Sequence, residues 1–115
     1  MAEQNCLFCK IVAGEVPAAK IFEDERAVVF RDINPQAPTH VLVIPKAHQP
    51  SIAALAQHAP EAVADLVSTA AAVAEQEGLG KEYRLVFNTG PRAGQTVFHV
   101  HGHVLGGRSM GWPPG

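Results

Sequence analysis

Three histidines alternate with small or apolar residues in His99-Val100-His101-Gly102-His103, and this spacing restricts the chain more than any other feature in it. Alternate side chains of a strand share a face. The spacing therefore predicts a strand over Thr96–Leu105, with His99, His101 and His103 on one side and Phe98, Val100, Gly102 and Val104 on the other. Imidazoles crowded on one face are costly to bury without partners. Neighbours at i and i+2 stand about 6–7 Å apart along a strand, and His99 to His103 spans about 13 Å. Two of the rings can converge on one metal, but all three cannot unless the strand bends. At least one histidine then has a different task. The bland alternative is a polar strand with no chemistry.

The remaining pattern supplies a setting for that strand. Cys6–Ala13 predicts a short helix with Leu7, Phe8, Ile11 and Val12 as its apolar stripe, ended by Gly14 and Pro17. Lys20–Glu23 and Ala27–Phe30 predict two strands around a turn at Asp24-Glu25. Asn34–Pro38 holds two prolines and is a loop, and Thr39–Ile44 is a buried strand closed by Pro45. Pro60–Glu77 is the one long helix, with Pro60 suited to its first turn and Gly78 to its C-cap. Tyr83–Asn88 is a further strand, joined to the histidine strand by the loop Thr89–Gln95. The order predicts an α+β fold with an antiparallel sheet. A chain of 115 residues suits a single domain, 1–115, with a tail at 106–115 that carries Trp112.

Composition excludes some partners. The net charge is −2, which argues against a nucleic-acid polymer but not against a small nucleotide needing only a few local donors. No apolar run is long enough to predict a membrane span. Met1–Asn5 shows no secretory pattern, so a cytoplasmic location is expected. There a stable disulfide between Cys6 and Cys9 is not expected.

A neutral imidazole can attack phosphorus and split one hard step into two, provided donors stabilise the phosphoryl oxygens. The loop before the histidines offers Asn88, the backbone amides of Gly94 and Gln95, the Gln95 side chain and the Thr96 hydroxyl. A Gly-Gln-Thr loop alone is a weak signal; followed by three alternating histidines it is a strong one.

The segment from Gly94 through Gln95, Thr96 and the histidines to Leu105 resembles the signature of the histidine-triad (HIT) superfamily. Phe30–Lys46 is similar to that family's nucleoside-binding segment, and Leu105–Gly115 to the tail of its Hint branch. The resemblance implies a five-stranded antiparallel sheet with one long and one short helix, joined to a second sheet across a homodimer. It implies binding of purine nucleoside monophosphates and cleavage at the α-phosphorus of their amidates, through a nucleotidyl-histidine, with no cofactor required for the chemistry.

On the family pattern His101 is the nucleophile, and His40 sits behind it and orients it. His103 and Asn88 contact the phosphate, Gln95 and Thr96 lie beside the leaving group, and Gly94 lets backbone approach the ligand. Asp32 accepts from the ribose hydroxyls. Ile33, Leu7, Phe8 and Ile11 sandwich the base, although each is equally readable as core. Trp112 shapes leaving-group specificity in the partner's site, or is a simple tail anchor.

Cys6-Leu7-Phe8-Cys9 has the spacing of a metal-binding pair, weak alone. Some bacterial members of the family complete such a pair with two histidines, which implies a structural zinc on Cys6, Cys9, His48 and His99. Two free thiols in a helix are the alternative, and a redox pair is disfavoured because a βαβ context is missing. Gly102, Thr96 and Gly111 depart from the family's usual bulky apolar residue, serine and histidine. Gly102 in particular is expected to loosen the strand. Two competing functions stay open: a nucleotide-binding module with little turnover, and a hydrolase whose metal sits on the histidine strand.

Overall fold

The computed structural model describes residues 3 and 5–115. The expectation of no secretory pattern rests on Met1–Asn5, of which Met1, Ala2 and Gln4 lie outside the described residues. Strands β1 (Lys20–Glu23), β2 (Ala27–Arg31), β3 (Thr39–Pro45), β4 (Arg84–Phe87) and β5 (Gly102–Gly106) form one five-stranded sheet in the order β1-β2-β3-β5-β4. Every pairing is antiparallel. Helix α1 (Leu7–Val12) covers one face, where Phe8 and Ile11 pack on Val28, Phe30, Leu42 and Ile44. The other face carries α2 (Ile52–His58) and α3 (Pro60–Gln76), whose Leu55, Leu66, Ala70 and Val73 pack on Val41, Val43 and Val104. Among the described residues no helix is long and apolar enough to cross a membrane.

Helix α3 ends within a residue of its predicted bounds, with Pro60 in its first turn. Helix α2 is an addition to the expected pair of helices. It is only seven residues long, and its N-terminus is capped by the Ser51 hydroxyl accepting from the Ala54 amide at 3.2 Å.

The histidine strand is shorter than its alternation predicts. Of the three histidines only His103 lies on β5, and Thr96–His101 runs outside any regular strand. The reason lies on the neighbouring strand. β3 pairs with β5 from Thr39↔Gly106 to Val43↔Gly102. One step further places His101 opposite Ile44, and the next places Val100 opposite Pro45, which has no amide hydrogen to continue the ladder. The Val100 amide instead donates to the Gln49 carbonyl at 2.8 Å. The chain thus bends away within the span where the three histidines could not otherwise share work.

Gly102 does not leave a gap. A Cβ built there would lie 2.8 Å from Cζ of Phe87 and 3.0 Å from Cδ1 of Leu85. The Phe87 ring occupies the space a side chain would fill, so the expected loosening is replaced by a close contact. Gly102→Leu is expected to destabilise by about 1–3 kcal/mol through overpacking. Combining it with Phe87→Val should cost less than the sum of the two single changes, by about 0.5–3 kcal/mol. Denaturant melts of the four proteins measure this; strict additivity would show that the ring does not fill that space.

Candidate active site and thiol–imidazole cluster

The bend hands each histidine a separate environment. His101 is 7% exposed, and its Nδ1 lies 2.8 Å from the His99 carbonyl. A carbonyl only accepts, so Nδ1 carries the proton and Nε2 keeps the free lone pair. Burial lowers the His101 pKa, outweighing the His99 carbonyl and the Asp32 charge, which raise it. Burial thus favours the neutral ring, with its proton on Nδ1 and its lone pair on Nε2. Phe8 meets it edge-on, with centroids 5.1 Å apart.

His103 stands beside it, ring centroids 5.1 Å apart. Its Nδ1 is 3.0 Å from Nε2 of His40, whose own Nδ1 accepts from the Gln36 amide at 3.0 Å. Nε2 of His40 also lies 3.4 Å from Oδ2 of Asp32. The other Asp32 oxygen accepts from the Asn34 amide at 2.8 Å. Burial first, then repulsion from His101 and His40, lowers the His103 pKa to about 4, against the pull of Asp32.

This depression predicts a fold sensitive to acid. Between about 6.5 and about 4 the unfolded chain binds a proton at His103 and the folded chain does not, so stability is lost as pH falls across that window. Thermal melts between pH 7 and pH 4.5 are expected to show a shallower decline for His103→Asn than for the unaltered chain. Parallel declines would show that His103 contributes nothing to it.

The remaining predicted contacts divide by position. Asn88 follows β4 and faces Gly94, where an added Cβ would lie 3.7 Å from Asn88 Nδ2. Gln95 is 2% exposed and turned inward. Its Nε2 donates to the carbonyls of Pro50 at 2.6 Å and Val97 at 3.1 Å, and its Oε1 accepts from the Gly90 amide. The amides of Gly94 and Gln95 close on Pro91 and Gly90 within the loop. The Gln95 side chain and these two amides are thus engaged within the loop and shape it. Thr96 is exposed and lines an open groove of about 450 Å³ with Leu7, His48, Pro50, Val97 and Phe98. Strand alternation places Phe98 on the face opposite the histidines, yet it is half-exposed at this groove. Of the four candidate base contacts, Phe8 and Ile11 are core, whereas Leu7 is half-exposed and Ile33 fully so. Trp112 is 86% exposed beyond Gly111, whose carbonyl accepts from Arg84 at 2.7 Å.

The fourth histidine, His99, faces away. It is fully buried, and its Nε2 donates to the Pro45 carbonyl at 2.8 Å, leaving the Nδ1 lone pair free. That lone pair lies 3.4 Å from Sγ of Cys6, 3.5 Å from Sγ of Cys9 and 3.2 Å from Nδ1 of His48. Cys9 Sγ and His48 Nδ1 are 3.4 Å apart, and all four donor atoms lie within 4.8 Å of one another. One helical turn brings the two sulfurs together, because Cys6 is the N-cap of α1 and its Sγ accepts from the Cys9 amide. Tetrahedral zinc with bonds of about 2.0–2.3 Å has ligand–ligand edges of about 3.3–3.8 Å. The observed separations fit, and the Pro45 carbonyl is the kind of outer partner that fixes a ligating imidazole. Burial raises the Cys9 thiol pKa, a direction a bound cation reverses.

A protein-family model for the HIT domain matches residues 13–110. The chain belongs to the HIT family. Among relatives of this HIT chain is a 14 kDa zinc-binding protein of Zea mays, 48% identical over 111 residues, 95% of this chain and 87% of that one. The adenylylsulfatase HINT1 of Arabidopsis thaliana is 42% identical over 116 residues, covering 99% of this chain and 79% of that one. A HIT family hydrolase of Legionella pneumophila superimposes with a TM-score of 0.92 at 52% identity, covering 96% of this chain and all of the other. The HIT fold is thus shared with a solved relative, and the Cys/His cluster of this chain suits a structural zinc. The residue that sequence reasoning missed in this HIT site is Gln36, whose contribution is a backbone amide and so leaves no side-chain signature.

Proposed function

We propose that the protein is a purine nucleoside phosphoramidase, a hydrolase that opens the P–N bond of nucleoside monophosphate amidates through His101. The observation that carries this is the geometry of that ring: Nδ1 lies 2.8 Å from the His99 carbonyl, which leaves the lone pair on Nε2, and burial favours the neutral form. In the first step the Nε2 lone pair forms a bond to the α-phosphorus while the P–N bond breaks, and the nitrogen departs as amine after taking one proton from solvent. The His101 ring gains positive charge, which the His99 carbonyl stabilises through Nδ1–H. In the second step water attacks phosphorus, the P–Nε2 bond breaks, one proton returns to solvent, and nucleoside monophosphate leaves. The sum is amidate plus water to monophosphate plus amine.

Because His40 donates to Nδ1 of His103, the His103 proton sits on Nε2, where it serves a phosphoryl oxygen together with Asn88. Asp32 serves the ribose, Ile33 and Leu7 flank the base, and Thr96 borders the leaving group. The Trp112 ring reaches a second copy's site in a homodimer. Zinc on Cys6, Cys9, His48 and His99 would brace the fold and enter no step. The adenylylsulfatase relative favours sulfate as a second leaving group at the same phosphorus.

The test is a rapid quench of the protein with an adenosine phosphoramidate, followed by peptide mass spectrometry. A nucleotidyl adduct on His101 is expected; turnover with adduct on another residue, or on none under single-turnover conditions, overturns the mechanism. Nucleotide binding without turnover would favour the binding-module alternative.

A further inference from the structure

Asp32, His40 and His103 bring a carboxylate oxygen and two ring nitrogens within 4.8 Å of one another, a donor set that resembles a metal-binding triad. The tautomers oppose that use. Nδ1 of His40 accepts from the Gln36 amide, so the proton of a neutral His40 is on Nε2, between His103 Nδ1 at 3.0 Å and Asp32 Oδ2 at 3.4 Å. A proton stands where a metal would need a lone pair. It also forces His103 to carry its own proton on Nε2. The direction of the whole pair is therefore set by one backbone amide, that of Gln36.

Two sets of contacts hold this amide in place. Inside the loop, the Asn34 amide donates to Asp32 and Gln36 Nε2 donates to the Asn34 carbonyl at 3.0 Å. From outside, the chain leaving β5 turns at Gly107 (φ 89°) so closely against the loop that a Cβ there would lie 3.0 Å from Cβ of Pro38. Arg108, the next residue, donates from Nε to the Gln36 carbonyl at 3.1 Å and from Nη1 to its neighbour's carbonyl, that of Ser109, at 3.0 Å. Gln36 thus has its amide on His40 and its carbonyl on Arg108.

We propose that Arg108 is a positioning residue: by holding the Gln36 carbonyl it keeps the Gln36 amide on His40 Nδ1, and so keeps His103 as an Nε2–H donor toward the substrate phosphate. The kinetic part of this rests on the phosphoramidase reading; the tautomer part does not. The charged and titratable groups facing His40 and His103 are Asp32 and His101.

The experiment uses the full-length protein as purified, ¹⁵N-labelled at histidine, with two-bond ¹H–¹⁵N correlation to assign each ring's tautomer. The unaltered protein is expected to show His40 and His103 both as Nε2–H. Arg108→Met should drive His40 to a mixture of tautomers and lower kcat several-fold with KM little changed, while Arg108→Lys, which can still donate, should restore both. Arg84→Met, which frees the Gly111 carbonyl instead, should leave the His40 tautomer alone. An Arg108→Met spectrum identical to the unaltered one overturns the proposal, as does the same change in Arg84→Met, which would reduce it to general ordering of the tail. If the unaltered protein turns over no amidate, the phosphoramidase reading fails while the spectra still decide the role of Arg108.

Discussion

His101→Ala is expected to lower kcat for an adenosine phosphoramidate by about 10⁴-fold or more, the scale seen when an enzyme's nucleophile is removed, with adenosine monophosphate affinity close to that of the unaltered chain. The expectation follows from the isolation of Nε2. Its ring is packed edge-on against Phe8 and hydrogen-bonded through Nδ1 to backbone, so removing the imidazole leaves the surrounding scaffold in place. Neither flanking histidine can substitute: His103 has its free lone pair turned toward His40, and His99 has its lone pair turned toward the cysteines. Titration calorimetry with the monophosphate separates loss of chemistry from loss of binding. A rate near that of the unaltered chain would remove His101 from the mechanism, and a parallel loss of binding would make it a phosphate contact only.

Removal of zinc is the second large effect. One zinc per chain is expected in metal analysis, held by Cys6, Cys9, His48 and His99. A ligand present at 100–1,000 times its dissociation constant stabilises by about 3–4 kcal/mol. At about 4–8 °C per kcal/mol for a domain near this size, stripping the metal is expected to lower Tm by roughly 10–30 °C. Cys9→Ser should reproduce the loss without a chelator. Well below the lowered Tm the stripped protein should retain turnover, because the His101 anchor is the His99 carbonyl, which is backbone, rather than the ligating ring. Complete loss of turnover on chelation, restored by zinc while the protein stays folded, would instead support metal-dependent hydrolysis. An unchanged Tm with no metal found would leave Cys6 and Cys9 as free thiols.

How far the sequence discloses this depends on which kind of contact carries the information. The spacing of His99, His101 and His103 shows that one unbent strand cannot bring all three to one metal, and the resemblance to the HIT family implies that Cys6 and Cys9 partner His99. Strand alternation misleads over Thr96–His101, because it treats pairing as continuous, whereas Pro45 on the neighbouring strand stops it. Phe8 and Leu7 are inseparable as members of one stripe, yet Phe8 and Ile11, three apart, share the face on the sheet and Leu7 does not. Helix α2 is short and its signal rests on Ser51 as a cap. The roles of Gln36 and Gln95 are hydrogen bonds to and from backbone, set by loop path, and no residue spacing encodes them.

The Phe87 ring takes the space that a Cβ at position 102 would need, which makes these two positions a single variable for mutation. A lineage moving from a bulky residue at 102 to glycine opens a void, and one enlarging 87 first meets a clash. Either order crosses a less stable ancestor, and reversal is hindered equally once both have changed. The two positions are therefore expected to vary together among relatives, large at one where small at the other, even though neither touches substrate and they stand fifteen residues apart in the chain.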